Sequence, residues 1–483
     1  MNDFDGRPRI VVIGGGFSGA FCAAELAEKS PVPVAIIVVE PRPVLGAGVA
    51  YSSTDPSHRI NVPAARMTIS PDNPADFDGW IRRNGVLEED PEAVWQDGHA
   101  YPRREIFGRY ISALVAERGA ARAGVTITHV QDSAIWITRR CPGYSIALAR
   151  GGALAADFLV IATSHPAPAP PPIIASLCPH PSIIANPWVP NALAAIAPAQ
   201  DILIVGTGLT MADVVASLTR QRHKGHITAV SRRGQLSRGH AFTPTPFAWF
   251  ADHPAPPTAR ELTRKIRELV AAAATQGVPW QAVMDDVRAN GQTLWRNFDA
   301  AERRRFLRHL RAFWDTHRYR VAPQTERVVQ NRLADGSLTV LAASLRAAAP
   351  RDGKINVMLR PRWSNPAQPV QLAVDAIIVT TGPAHGKITS QMPVLASLAT
   401  QGVLRADPLG LGIAVDPLGR TIGTDGESHS RLYVAGPLAR EQYGELMGMP
   451  QVAGQASAVA GEIAKLLEPD DFRSNRAAIR SKI

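Results

Sequence analysis

Residues 9–16 read RIVVIGGG, an apolar run of strand length that stops on glycines. The next segment, SGAFCAAELAEK (18–29), spaces its apolar residues as a helix does, and VAIIVVE (34–40) is again almost wholly apolar. Strand, turn, helix and strand in that order predict a βαβ unit whose parallel strands are buried on both faces. The same order returns in DILIVGTGLTMAD (201–213) and HITAVSRRG (226–234). Further apolar runs, VTITHV (125–130), FLVIATSH (158–165), 338–345, 355–360 and AIIVTTGP (376–383), supply more strands. Between 245 and 335 the period changes to that of helices. TARELTRKIRELVAAAAT (258–275), a shorter stretch near Trp280–Ala289, and AAERRRFLRHLRAFWDTH (300–317) carry it. The predicted fold class is α/β: two Rossmann-like dinucleotide-binding domains, with a helical insertion (245–335) in the second.

The glycines give the two units their chemistry. Gly14, Gly16 and Gly19 fit G-x-G-x-x-G, which allows a tight turn, close approach of a pyrophosphate, and close packing of helix on strand. The phosphate then rests on a helix N-terminus, where free amides and the helix dipole favour an anion. The spacing is weak evidence by itself and becomes specific through its strand–turn–helix context. Glu40 ends the second strand 21 residues after Gly19, where an acid receives the ribose hydroxyls. The second unit keeps Gly206 and Gly208 but places Met211 at the third position, which is expected to loosen helix–strand packing and spare the phosphate turn. Its strand ends on Ser231, Arg232 and Arg233 instead of an acid. Serine with arginine suits a 2′-phosphate through charge-assisted hydrogen bonds, so this unit reads as an NADP site; a solvated turn is the alternative.

Composition narrows the setting. At ~150 residues per domain, 483 residues suggest about three domains. The formal charge of +10 comes almost wholly from arginine, since only seven of the 52 basic residues are lysine. No recognition motif accompanies that charge, so nucleic acid is not expected as a partner. The one dense basic patch, Arg303, Arg304, Arg305, Arg308, Arg311, Arg318 and Arg320, reads as a solvated surface or an anion site. Three scattered cysteines exclude a disulfide framework, a C-x-x-C relay and a structural zinc site, and no metal site is expected. The polar start and the lack of any ~20-residue apolar run point to a cytoplasmic protein away from membranes.

Several segments resemble those of a bacterial FAD/NAD(P)-binding family, within the two-dinucleotide-binding-domain flavoproteins and related to the flavin N-hydroxylating monooxygenases. They are GGGFSG, LGAGVAYS (45–52), HRINVPAARM (58–67), YPRREIFGRYI (101–111), GTGLTMAD and RLYVAGPLARE (431–441). The resemblance implies FAD on the first unit and NADPH on the second. It assigns Gly14, Gly16, Phe17, Ser18, Gly19 and Glu40 to FAD, with Val130 at the adenine. FLVIATSH looks like the A-T-G turn that closes the FAD domain, with Ala162 kept and Ser164 replacing the glycine. RLYVAGP looks like the late strand that sets Gly436 against the flavin's ribityl-phosphate; Pro437 stands where many relatives have an acid. The helix 451–467 would aim its N-terminus at the isoalloxazine. The implied domains are FAD-binding, 1–170 and 375–483, and NADP-binding, 180–374, joined through the stiff PAPAPPP connector (166–172).

No H-E-x-x-H, G-x-S-x-G or F-x-G-x-x-x-H motif is present, so the cofactors are expected to carry the chemistry. The resemblance implies an NADPH-dependent monooxygenase that passes one oxygen atom from dioxygen to a small nucleophilic substrate through a flavin hydroperoxide. An NADPH:acceptor reductase and a non-catalytic FAD/NADP-binding protein stay open as alternatives. Near the reacting centre the candidates are Asn61, as a hydrogen-bond partner of the flavin or nicotinamide, and Arg103, for a phosphate or substrate. A satisfied loop asparagine and an Arg103–Glu105 salt bridge are the structural alternatives. His58 and His165 are candidate acid–base groups. The insertion is suited to cover the substrate or to make a contact in a homo-oligomer.

Overall fold

Apolar strands bounded by glycine turns need both faces covered, and the two sheets achieve this with helices from distant parts of the chain. The computed structural model describes residues 6–70, 72–242, 247–363, 368–382 and 388–468. The expected start of the insertion at 245, Pro383 and both chain ends lie outside them. The amino-terminal part contributes β1 (Arg9–Ile13), β2 (Val34–Val39) and β3 (Val125–Val130), then an antiparallel sheet of β4 (Ala134–Arg139), β5 (Tyr144–Leu148) and β6 (Ala153–Ala156), and β7 (Phe158–Ile161). The middle contributes β8 (Ile183–Ile184), β9 (Ile202–Val205), β10 (Ile227–Ser231), β11 (Leu338–Arg351), β12 (Lys354–Pro361), β13 (Val370–Val374) and β14 (Ala376–Val379). The last part returns with β15 (Arg420–Ile422) and β16 (Ser428–Val434).

The first sheet has the order β15-β16-β7-β1-β2-β3, parallel except for β15. Chain order reverses between β1 and β7, and the crevice at such a reversal is where open α/β sheets bind ligands. The helices Phe17–Lys29 and Gln451–Leu466 pack together against this sheet, so the first and last segments share one hydrophobic core. The second sheet runs β13-β12-β11-β10-β9-β14-β8, with a second reversal between β9 and β14. Its apolar residues form a cluster on each face.

The helical region holds helices at Ala259–Thr275, Trp280–Ala289, Gly291–Asn297, Ala300–Arg305 and Arg311–Arg318. Thr258 and Asp299 cap two of these starts, accepting the backbone N–H of Glu261 and Glu302, a pattern written locally in the sequence. The single helix expected over 300–317 is broken by a π-helical turn, Phe306–Leu310, which widens the coil by one residue there. The helix Pro323–Ala334 belongs elsewhere: it packs on the helix Leu209–Arg220 and under β11, as a Rossmann crossover helix does. The inserted helices proper therefore end at Arg318, with their own apolar core around Leu262, Leu294, Trp295 and Phe298.

Candidate functional site

The first glycine turn lies at the carboxyl end of β1. Gly14 has φ +100° and donates its N–H to the Val39 carbonyl at 2.9 Å. A Cβ there would lie 2.5 Å from the Ala162 carbonyl oxygen, so only glycine lets β1 and β7 approach this closely. The helix Phe17–Lys29 starts after Gly16 with no side-chain cap and no acid in its first turn. Its leading N–H groups therefore have no side-chain acceptor and suit an anion. Glu40 is 4% exposed; its carboxylate accepts the N–H of Gly15 at 2.9 Å and of Arg42 at 3.0 Å. The Val130 carbonyl accepts the Glu40 N–H at 3.1 Å. Phe17 is buried and stacks on Phe21 with centroids 5.5 Å apart. Ser18 and Gly436 touch, since a Cβ on Gly436 would lie 2.3 Å from Ser18 Oγ. Residues assigned to FAD from four separate segments thus converge on one crevice, and its shape and free amides fit a dinucleotide.

The second turn repeats this geometry. Gly206 has φ +124°, donates its N–H to Val230 at 2.8 Å, and would set a Cβ 2.7 Å from the Thr380 carbonyl oxygen. Gly208 precedes the helix Leu209–Arg220, which again has neither side-chain cap nor acid at its start. Met211 is 1% exposed in the cluster between helix and sheet, so its apolar side chain fills the space that a third glycine would leave. Ser231 Oγ accepts the Gly234 N–H at 2.9 Å and lies 2.8 Å from Thr207 Oγ1, tying the strand end to the glycine turn. Arg232 is exposed, and among the described residues no carboxylate pairs with it; its carbonyl accepts from Arg362 Nη1 at 3.3 Å. Arg233 does not stay with Arg232. β10 stops at Ser231, the chain turns, and Arg233 donates to the His309 carbonyl at 3.1 Å with its guanidinium 4.5 Å from the Phe313 ring. Arg362, one residue past β12, takes its place beside Arg232.

The candidates near the reacting centre divide. The Asn61 carbonyl accepts from His240 Nε2 at 2.9 Å, and its side-chain amide has no protein partner among the described residues. Arg103 Nε lies 3.9 Å from Asp90, so the expected Glu105 pair does not form. Arg103 has extended backbone before the helix Arg104–Ala120 and pairs with Arg59, which directs both arginines to Asp90. His58 is buried, with Nδ1 2.6 Å from Ser53 and Nε2 3.0 Å from Ser217, whose hydroxyl donates to Asp55 at 2.6 Å. Beside it Arg104 Nη2 pairs with Asp213 at 2.8 Å. Asp55, His58 and Arg104 belong to the first sheet's segments, Asp213 and Ser217 to the helix Leu209–Arg220. His58 therefore joins the two halves of the molecule.

His240 escaped the sequence reading because no strand or motif marks it. It stacks on Phe242 with centroids 5.4 Å apart, and its Nδ1 is buried without a partner. Burial pushes its pKa down to about 4. The unfolded chain, with a histidine pKa of ~6.5, takes up this proton first, so the neutral ring stabilises the fold above that value. Stability is expected to fall from about pH 6.5 towards 4, by up to about 3 kcal/mol. Melting curves across that range should show the slope in the wild type, and His240→Phe should flatten it. An unchanged slope in the variant would exclude His240 as its source.

The arginine patch divides: Arg304, Arg305 and Arg308 are exposed, as a solvated face would be, whereas Arg303, Arg318 and Arg320 are drawn inward by acids. Arg303 pairs with Glu441 at 3.1 Å, Arg318 with Glu445 at 2.6 Å, Arg320 with Asp285 at 2.9 Å and Arg311 with Asp315 at 3.5 Å; Arg305 pairs with Glu302. Two of these acids lie just after β16, so the patch ties the inserted helices to the returning segment. Cys22 is buried and its thiol is pushed up to about 12, chemically inert. Among the described residues, no cluster of ligating side chains could hold a metal and no helix is long and apolar enough to cross a membrane.

Two sheets, each with an uncapped glycine turn at its strand reversal, define the fold of the two-dinucleotide-binding-domain flavoproteins. Residues 11–166 match the model of a FAD-NAD(P)-binding family. Over 96% of this chain and all of the other, the fold matches the reduced form of ornithine hydroxylase from Pseudomonas aeruginosa, with TM-score 0.65 and 15% identity. An ornithine N-hydroxylase from Kutzneria sp. 744, solved with reduced FAD, NADP+ and L-ornithine, matches at TM-score 0.60 and 15% identity over 96% and 99% of the two chains. L-lysine 6-monooxygenase from Pseudomonas syringae matches at 0.59 and 17% over 95% and 98%. A search of curated proteins found no match. The chain thus shares its overall fold with these hydroxylases and this monooxygenase.

Proposed function

We propose that the protein is an NADPH-dependent FAD oxidoreductase of the monooxygenase type, acting on a small nucleophilic molecule with dioxygen. The observation that carries this is the pairing of two like turns with unlike strand ends: buried Glu40 at the first, Ser231 with Arg232 and Arg362 at the second. The solved structures of like fold named above act on amines, which supports the oxygen step. Bound FAD would supply two-electron redox chemistry between a reduced nicotinamide and dioxygen. The chain's part is to hold and orient. The amides after Gly16 face the FAD pyrophosphate, and Glu40 orients its adenosine ribose. The amides after Gly208 do the same for NADPH, whose 2′-phosphate meets Ser231, Arg232 and Arg362. The side-chain amide of Asn61, whose backbone carbonyl accepts from His240, would be the polar group that orients the reacting rings, and Arg103 would serve a phosphate or the substrate.

The test starts with the purified protein: yellow colour, then NADPH and NADH oxidation with hydrogen peroxide measured alongside. A colourless protein that takes up no flavin would sink the reading. Arg232→Ala is expected to raise KM for NADPH about tenfold or more, the weight of one charge-assisted hydrogen bond, and to leave NADH almost unchanged. Equal loss with both nucleotides would remove Arg232 from the 2′-phosphate.

A further inference from the structure

The inserted helices line an open-mouthed cavity of about 760 Å³, and its lining does not resemble a site for a short polar molecule. Trp280, Trp295 and Trp314 form much of the wall, with Phe298 and Phe306 between them. The helix Ala259–Thr275 turns Leu262, Ile266 and Val270, one apolar stripe at four-residue spacing, into the same space. The π-helical turn adds Leu307 and Leu310. At about 30 Å³ per water the space equals some 25 waters, on the scale of a drug-sized ligand.

Besides the exposed Arg238 and Arg267, the charged side chains of the lining form one cluster. There the segment after β16 brings Arg440 and Glu445 against Asp315 and Arg311 of the last inserted helix. Both carboxylates already have partners: Glu445 holds Arg318 at 2.6 Å, and Asp315 holds Arg311 at 3.5 Å. Arg440 does not. It is 7% exposed, and the one acceptor beside its guanidinium is the Met447 thioether, at 3.3 Å from Nη1. A guanidinium has five N–H donors, and a buried one left with a weak sulfur acceptor is costly. Burial and the nearby Arg311 hold its pKa below the usual arginine value. Among the described residues of its lining, the cavity thus carries one buried cation with no carboxylate in contact, since Asp315 and Asp407 act on it only from further away, and the molecule that complements it is an apolar anion.

We propose that this chamber binds a hydrophobic carboxylic acid, with its carboxylate on Arg440 and its chain or ring among the tryptophans. The assignment of this acid as a substrate rests on the oxidoreductase reading above, because Arg440 lies on the segment that joins the Gly436 turn to the helix Gln451–Leu466. To fit that reading the acid also carries a nucleophilic nitrogen or sulfur, and it is larger and less polar than ornithine or lysine.

The tryptophans report occupancy directly. Titrating the flavin-loaded protein with 12-bromododecanoate is expected to quench their emission saturably at one site per chain, and 1-dodecanol should bind at least tenfold more weakly than dodecanoate. Arg440→Gln should weaken dodecanoate about tenfold and leave dodecanol unchanged. Val270→Trp, which fills the chamber, should abolish saturable quenching while flavin absorbance and circular dichroism stay those of the wild type. Absence of saturable quenching in the wild type would overturn the proposal. So would unchanged dodecanoate affinity in Arg440→Gln, or displacement of the probe by equimolar L-ornithine. NADPH oxidation measured on the same samples keeps the two readings apart. Probe binding without oxidation defeats the enzyme reading alone, and oxidation without probe binding defeats the chamber alone.

Discussion

Gly19→Ala is expected to yield a protein that purifies without flavin and melts well below the wild type. The added methyl would sit 1.9 Å from the Gly14 carbonyl oxygen and 3.1 Å from the Ala162 Cβ. The first contact is with backbone, in the turn whose position depends on the strand pairing of β1 with β2 and β7. No rotamer change relieves it, so the helix must move away from the strand. Overpacking that side chains can absorb costs ~1–3 kcal/mol, and a backbone collision this short should exceed that range. The same shift carries the leading amides of the helix away from the crevice, so cofactor is lost together with stability. Gly454→Ala is the control. A Cβ there meets nothing within 4 Å, and in a helix the change should stabilise by about 0.4–1 kcal/mol. Absorbance at 450 nm and a melting curve read both effects. A yellow Gly19→Ala protein with the wild-type melting temperature would refute the account of this turn.

Glu445→Ala should be the most destabilising change outside the glycine turns. Glu445 and Arg318 have side chains only 4% and 5% exposed, and Glu445 Oε1 accepts from Arg318 Nε at 3.0 Å and Nη2 at 2.6 Å. Arg288 is close enough that Glu445 steadies it as well. Burial and the charge of Arg318 lower the Arg288 pKa to about 10, and Glu445 opposes that drop. Removing the carboxylate leaves two buried guanidiniums facing each other. Breaking a buried pair from one side typically costs ~3–5 kcal/mol, whereas replacing both partners by apolar groups can be neutral. Denaturant unfolding followed by tryptophan emission should therefore show a large loss for Glu445→Ala and recovery in the double variant Arg318→Met/Glu445→Met. A single-variant loss below ~1 kcal/mol, the range of surface pairs, would show that water reaches this pair in solution.

Both Rossmann units were legible because their signals are local. An apolar run, a glycine turn and a helix within one short segment specify the strand, the bend and the helix start, and Glu40 falls at a set distance along the same unit. The place of Ser231 and Arg232 at the strand end follows for the same reason. Arg233, adjacent in sequence, turns instead towards the inserted helices, where it donates to the His309 carbonyl. Arg362 and His240 were invisible: each reaches its place through a pairing with residues over a hundred positions away. The inward-turned part of the arginine patch, Arg303 and Arg318, was hidden in the same way. Counted along a helix it looks like a solvated face, but its acids, Glu441 and Glu445, come from the other end of the chain.

The opening pattern of apolar runs and glycines determined by itself that this chain builds two Rossmann-like units, each with a glycine turn ahead of a helix, and the three scattered cysteines gave no expectation of a disulfide or metal framework. Tertiary structure decided how the segments meet. It joined the first and last segments in one core, placed His58 between the two halves, and packed four helices, a π-helical turn and one buried arginine around a large apolar cavity. Turn chemistry is set by neighbours a few residues apart, so it can be read from the sequence. A cavity is bounded by side chains from segments with no local signal for one another, and it exists only once they have packed.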